Sequence, residues 1–276
     1  TLEDMNPPPC APPYRLAEHG SGTCIRCALS ACQRSRSMRR IHIKVLPLFT
    51  AVLLAACGGG GGDGPKVSNA AVGGLWQGQV TISGQGEYDL MGVIAEDGRG
   101  YFLQEDGVMY WGTVKSSGNK ITSTMTGAGV YALPLWDGSS SGTGSLEGTI
   151  QPRASIAASS TFTTALGAGT TATISVSYAV LYDDDSSLAL IAGNYADFVG
   201  IYSGVLNVAS NGDLFLQDPD SGCVMNGRFA IINPAFNAYD VKLSYASCTG
   251  AYADLNGVTF SGLAVYDKDW EELYLF

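Results

Sequence analysis

From Leu75 onward, apolar and polar residues alternate with a period of two along most of the chain. Trp76-Gln77-Gly78-Gln79-Val80-Thr81-Ile82 predicts a strand with one buried face. Runs at Tyr88–Ala95, Tyr101–Gln104 and Met109–Val114 follow, separated by Asp97-Gly98 and Asp106-Gly107. Asp-Gly pairs between such runs are hairpin signals, because glycine accepts positive φ. Thr143–Ile150, Ala158–Leu166 and Thr171–Tyr182 read as further strands. The alternation breaks over Asp183–Gly193, where Asp184 or Asp185 is placed to cap a short helical turn at Ser186–Ile191. It resumes at Gly200–Gly204 and Asn207, turns at Asn211-Gly212, and continues through Leu214–Gln217, Gly222–Ile232, Tyr239–Ser247, Val258–Tyr266 and Leu273–Phe276.

The expected fold is therefore all-β, an antiparallel meander or barrel-like arrangement. It divides into two β halves, residues 73–185 and 186–276, joined by a short helical segment. Gly74-Leu75-Trp76-Gln77-Gly78 and Gly200-Ile201-Tyr202-Ser203-Gly204 share the form Gly-apolar-aromatic-polar-Gly. This is either a weak internal repeat or the common look of β meanders.

The first 72 residues follow another pattern. Val45–Ala56 is apolar apart from Pro47 and Thr50. At about a dozen residues it is short of the roughly 20 that span a membrane. Met38-Arg39-Arg40 precedes it, so 38–56 has the basic start and apolar centre of a secretory signal. Leu54-Ala55-Ala56-Cys57 resembles the lipobox of bacterial lipoproteins. The resemblance implies cleavage between Ala56 and Cys57, lipid attachment to the Cys57 sulfur, and anchoring by several acyl chains, since a single chain binds only marginally. In that family an Asp after the cysteine retains the protein in the inner membrane. Here Gly58 follows, which implies the outer membrane of a Gram-negative bacterium, on the periplasmic face or the cell surface. Residues 57–72 read as a glycine-rich tether. Residues 1–37, upstream of a complete signal, read as a non-native, disordered extension.

Charge and chemistry divide at the same point. Of 15 basic and 25 acidic residues, seven and three precede Cys57, which leaves a body of eight and 22, net −14. Such a body repels phosphates, so no nucleic-acid partner is expected. His19 and His42 both precede Cys57. A mature chain starting there has no histidine for a Ser-His-Asp triad, a Cys-His pair or a His-ligated metal. Cys24-x-x-Cys27 lacks a periodic segment around it to support zinc or redox chemistry. No cofactor, metal or catalytic residue is assigned.

The second half, above all SGCVMNGRFAIINPAFNAYDVKLSYASC followed by FSGLAVY, resembles a group of uncharacterised Gram-negative lipoproteins. That resemblance implies a β-barrel-like or lipocalin-like domain over 188–276 and no established activity. Compact β-barrels on a lipid tether also occur in surface lipoproteins that bind host proteins, a likeness of architecture alone.

Cys223 and Cys248 are centred on the turn-like stretch Asn233–Ala238, so a hairpin would set them opposite each other and an oxidising compartment would close a disulfide. In strict register, however, Met225, Phe229 and Ile231 face away from Val241, Leu243 and Tyr245. A one-residue offset near a cysteine or beside the turn is therefore expected. Among charged candidates, Asp183-Asp184-Asp185 lacks the spaced oxygens of a calcium loop. Glu96, Asp97, Glu105 and Asp106 sit at successive hairpin tips, where neighbouring carboxylates would suit glycoside hydrolysis. Exposed aromatics are the stronger lead, with Trp76, Tyr110, Trp111 and Trp136 as contact candidates. The expected function is a non-catalytic binding or interaction module, anchored to the membrane through its N-terminal lipid, with an envelope protein, host protein or glycan as partner. The alternatives are a structural envelope component without a dedicated ligand and a carboxylate-based hydrolase.

Overall fold

The computed structural model describes residues 23–24, 69–129, 134–196 and 204–276. The signal, Ala56, Cys57, nearly all of the tether and the second copy of the Gly-aromatic-Gly pattern lie outside the described residues.

The first lobe is a closed eight-stranded barrel of β2 (Gly74–Ile82), β3 (Gly86–Ile94), β4 (Arg99–Gln104), β5 (Val108–Ser117), β6 (Lys120–Gly129), β7 (Ser141–Gln151), β8 (Ser155–Thr164) and β9 (Gly169–Ala179). Neighbours pair antiparallel, and β2 closes on β9 from Leu75↔Ala179 to Ile82↔Ala172. Closure leaves no unpaired edge in this lobe. Val80, Ile82, Leu90, Ile94, Ile121, Leu146 and Ile150 fill its interior. The Asp-Gly turns form as expected, with Gly98 and Gly107 at φ 87 and 91°. Each Asp caps its own turn: Asp97 Oδ1 accepts the Arg99 amide at 3.0 Å, and Asp106 Oδ1 that of Val108 at 3.2 Å.

The second lobe is a curled antiparallel half-barrel of β10 (Gly193–Ala196), β11 (Leu206–Val208), β12 (Asp213–Gln217), β13 (Val224–Ile231), β14 (Tyr239–Ala246), β15 (Thr259–Asp267) and β16 (Glu272–Leu275). A two-residue strand, β1 (Thr23–Cys24), runs parallel to β10. Tyr195, Leu216, Met225, Phe229, Val241 and Tyr245 share the core of this lobe.

The one-residue offset lies beside Cys248. Met225 pairs with Tyr245 and Phe229 with Val241, so these four side chains face the core together, while Ile231 at the hairpin end is exposed. The ladder ends at Val224↔Ala246, and its next step would set Cys223 against Ser247. The disulfide instead joins Cys223 to Cys248, with their Cα atoms 3.9 Å apart, and Ser247 takes up the slack at φ 59°.

The joining segment differs from expectation. A 3-10 turn forms at Val180–Asp183, ahead of the expected place, and Ser186–Ile191 holds only a hydrogen-bonded turn. Ser187 rather than Asp184 or Asp185 caps that turn, its Oγ accepting from the Leu190 amide at 3.3 Å. Tyr239 holds the segment from below: its hydroxyl accepts from the Ser187 amide and donates to the Ser187 carbonyl, each at 3.2 Å. Burial pushes this phenol up to about 12.

The lobes share an apolar seam. The outward faces of β2, β3 and β4 present Leu75, Val93 and Leu103 to Leu263, Val265 and Phe276. This explains the unbroken apolar run from Leu90 to Ala95: β3 is covered on both faces here, by barrel core and by the second lobe. Polar ties rim the seam. Arg99 donates through Nε to Asp97 at 2.7 Å and through Nη1 to Asp240 at 2.5 Å, and both carboxylates reinforce its charge. Tyr101 donates to the Ser261 carbonyl at 3.3 Å.

Asn237 is buried at the junction and uses both ends of its amide. Its Nδ2 donates to the carbonyls of Leu181 (3.1 Å) and Tyr266 (2.6 Å), and its Oδ1 accepts the Tyr266 amide (3.0 Å). Asn237→Ala strands these buried groups. It should lower unfolding free energy by about 3 kcal/mol, with Asn237→Asp failing to restore it because it cannot donate twice; urea titration measures both. Reducing the disulfide, which spans 25 residues of sequence, should cost about 3 kcal/mol in the same assay. A Cys223→Ser/Cys248→Ser variant should show no further loss on reduction.

Candidate functional site

The barrel interior leaves only a cavity of about 50 Å³, apolar except for a few hydroxyls such as Ser123 and Ser160. Small-molecule sites are typically about 300–1,000 Å³. The space is taken up by aromatic rings laid over glycines. Phe162 lies across Gly127 and Gly142, where an added Cβ would meet its ring at 2.8 and 2.4 Å. The lobe is thus a filled barrel, and its contact chemistry belongs to rim and outer faces.

Of the four aromatic candidates, Trp76 is a correction. It is 0% exposed, packs edge-on against Tyr178 at 5.4 Å, and fills the barrel floor. The alternation gave its side correctly as apolar. Its indole needs the space Gly74 leaves, where a Cβ would lie 2.8 Å from the ring. Tyr110 also points inward, edge-on to Phe162 at 5.6 Å, and donates to Gln104 Oε1 at 3.2 Å. Burial raises its pKa above the usual phenol range. Trp111, the next residue, lies half-buried across from Tyr101 on one side and Thr126 on the other. Trp136 is 38% exposed at the barrel mouth, tilted against Phe162 at 5.8 Å. The structure therefore keeps Trp111 and Trp136 accessible and commits Trp76 and Tyr110 to packing.

The segment bearing Trp136 is clamped by the next residue. Asp137 Oδ1 accepts from the Ser139 hydroxyl (2.6 Å) and amide (3.0 Å), while Oδ2 accepts from the Thr164 hydroxyl. Thr164 Oγ1 in turn accepts the Ala168 amide at 3.0 Å. The Ser139 and Thr164 bonds hold the Asp137 carboxyl below the ordinary range.

The acidic candidates are not brought together. Glu96 and Asp97 end β3, Glu105 and Asp106 end β4, and successive tips of a meander alternate between barrel ends. The six residues of β4 separate the two pairs by roughly 20 Å, too far for paired-carboxylate hydrolysis. Asp183 accepts from Tyr178 and pairs with Arg153, and Asp184 pairs with Lys268 at 3.0 Å. Among the described residues no three metal-ligating side chains converge. A shallow outer depression of about 480 Å³ is lined by hydroxyls including Thr81, Ser159 and Thr173, and there Ser145 and Thr161 bond each other at 3.0 Å.

The four contact candidates leave out exposed aromatics of the second lobe: Phe215, Tyr252, Phe260 and Trp270. Phe215 is 45% exposed on the outer face of β12, between buried Leu214 and Leu216. The signal was available: in a strict alternation an aromatic occupies the polar position. Comparison with protein-family models, with curated proteins and with solved structures gives no match.

A depressed carboxyl contributes stability that is complete above its unfolded pKa of about 3.9 and is lost as pH falls through the lower folded value. Acid titration should therefore give a tryptophan fluorescence step below about pH 3.9. The step should vanish in Asp137→Asn and in Trp136→Phe.

Proposed function

We propose that the protein is a lipid-anchored outer-membrane lipoprotein whose two β lobes form a non-catalytic binding module, with an envelope protein, host protein or glycan as partner. The observation that carries this reading is the combination of a filled barrel with large aromatic side chains held outward on rigid elements, Trp136 at the rim and Phe215 on the second lobe. Strands and clamped turns hold these groups without an ordering cost on binding, and exposed aromatics contribute most when preorganised. The anchor rests on Met38-Arg39-Arg40, the apolar run and Leu54-Ala55-Ala56-Cys57. The separation of the acidic pairs by the length of β4 weighs against the hydrolase alternative.

Mass measurement of the N-terminal fragment from membranes should show a chain that begins at Cys57 and carries lipid. Cys57→Ser should leave the signal uncleaved and unlipidated. Proteinase shaving of intact cells then reports which face carries the lobes. An unlipidated wild-type chain retaining residues 1–56 overturns the anchor.

A further inference from the structure

Strand register lines up a polar row with one aromatic at its centre. Asn194, Asn207, Phe215, Asn226 and Ser244 are successive partners across β10–β14 on the outer face of the second lobe. Asn207 donates through Nδ2 to Asn194 Oδ1 at 2.7 Å, which fixes the two carboxamides as a unit beside the Phe215 ring. The next row along the strands brings Asp213, Arg228 and Lys242 together.

Arg228 and Lys242 are directly opposed, and directly opposed like charges oppose sheet formation. Asp213 is the nearest compensation: its Oδ1 lies 3.9 Å from Arg228 Nε, while Oδ2 is held by Asn211 at 2.8 Å. Lys242 has no ion pair among the described residues, whereas Arg99, Arg153 and Lys268 each have a close carboxylate. In a body of net charge −14, an exposed pair of cations beside an exposed aromatic calls for an anionic occupant.

We propose that this face binds a terminal nine-carbon acidic sugar, a pyranose bearing a carboxylate and a polyhydroxy tail. The inference deepens the binding-module reading and rests on it. The Phe215 ring takes the C–H face of the pyranose. Asn207 and Asn226 stand one strand to either side, about 9.6 Å apart, which spans the ring and its hydroxyls. Asn194 extends the amide line by about 4.8 Å toward the tail. Arg228 and Lys242, about 6.7 Å along the strands, hold the carboxylate. A nucleic acid would meet the same aromatic and cations, but the acidity of the body repels it at long range.

The test uses the detergent-solubilised full chain on beads carrying 3′-sialyllactose, lactose, a hexuronic acid oligomer or carboxymethyl groups. Retention should be at least tenfold greater on sialyllactose than on lactose or carboxymethyl beads. Phe215→Ala should abolish it, while Arg228→Gln/Lys242→Gln should erase the preference over lactose. Trp270→Ala, at an aromatic 75% exposed and outside this row, should leave it unchanged, and equal melting temperatures should show that the variants fold. No retention of the wild type, equal retention on carboxymethyl beads that survives Phe215→Ala, or preference for the uronic oligomer each overturns the assignment. These outcomes are separable from failure of the lipoprotein reading. A chain that lacks lipid yet retains sialyllactose sinks only the anchor, and a lipidated chain that ignores the sugar sinks only this site.

Discussion

One buried amide fixes the junction between the two lobes. Asn237 bonds Leu181 in the connecting turn and both polar groups of Tyr266 on β15, and its own amide donates to the Tyr182 carbonyl at 3.0 Å. Every one of these partners is a main-chain group, and of them the Leu181 carbonyl also accepts the Asp184 amide at 3.4 Å. An amide donates and accepts in fixed directions, so it sets an orientation that the apolar seam alone leaves open. Leu75, Val93 and Leu103 against Leu263, Val265 and Phe276 supply the non-directional attraction. Asn237 selects one arrangement from those that such a seam permits, and the outward-facing aromatics of the two lobes keep fixed positions as a result.

Much of the fold was legible. Alternation located most strands, Asp-Gly pairs located their turns, and the conflict between Met225/Phe229 and Val241/Tyr245 called for a one-residue offset near a cysteine or beside the turn, of which the structure has the first. What escaped did so for physical reasons. β6 carries Ile121, Ser123, Met125 and Gly127 inward, and the glycine is there because Phe162 and Tyr110 occupy the space above it. Small residues beneath large rings erase the apolar signal from one strand and concentrate it in another. β10, only four residues long, gives no period to count. Closure of β2 on β9 joins residues about a hundred apart and has no local signature.

The site was less legible than the fold. Trp76 and Trp136 look alike as letters, yet one fills the barrel floor and the other stands at its mouth. Alternation separates inward from outward along a strand, but it does not say which outward faces a second lobe covers. Val93 and Phe215 are both apolar and both face away from their own lobe's core; only the seam decides that one is buried and the other free to meet a partner. The acidic tips failed for a related reason, because neighbours along a meander are neighbours in sequence while their tips point to opposite poles.

The disulfide beside Ser247 does not by itself choose the register. A hairpin slipped by one residue would set Cys223 directly opposite Cys248, but it would turn Val241 and Tyr245 away from the side that Met225 and Phe229 share. The bond is open to both ladders; apolar packing decides between them, and Ser247 at φ 59° absorbs the residue left over. Packing therefore sets the strands and oxidation only locks them, so a chain whose two thiols stay reduced should still find the same ladder.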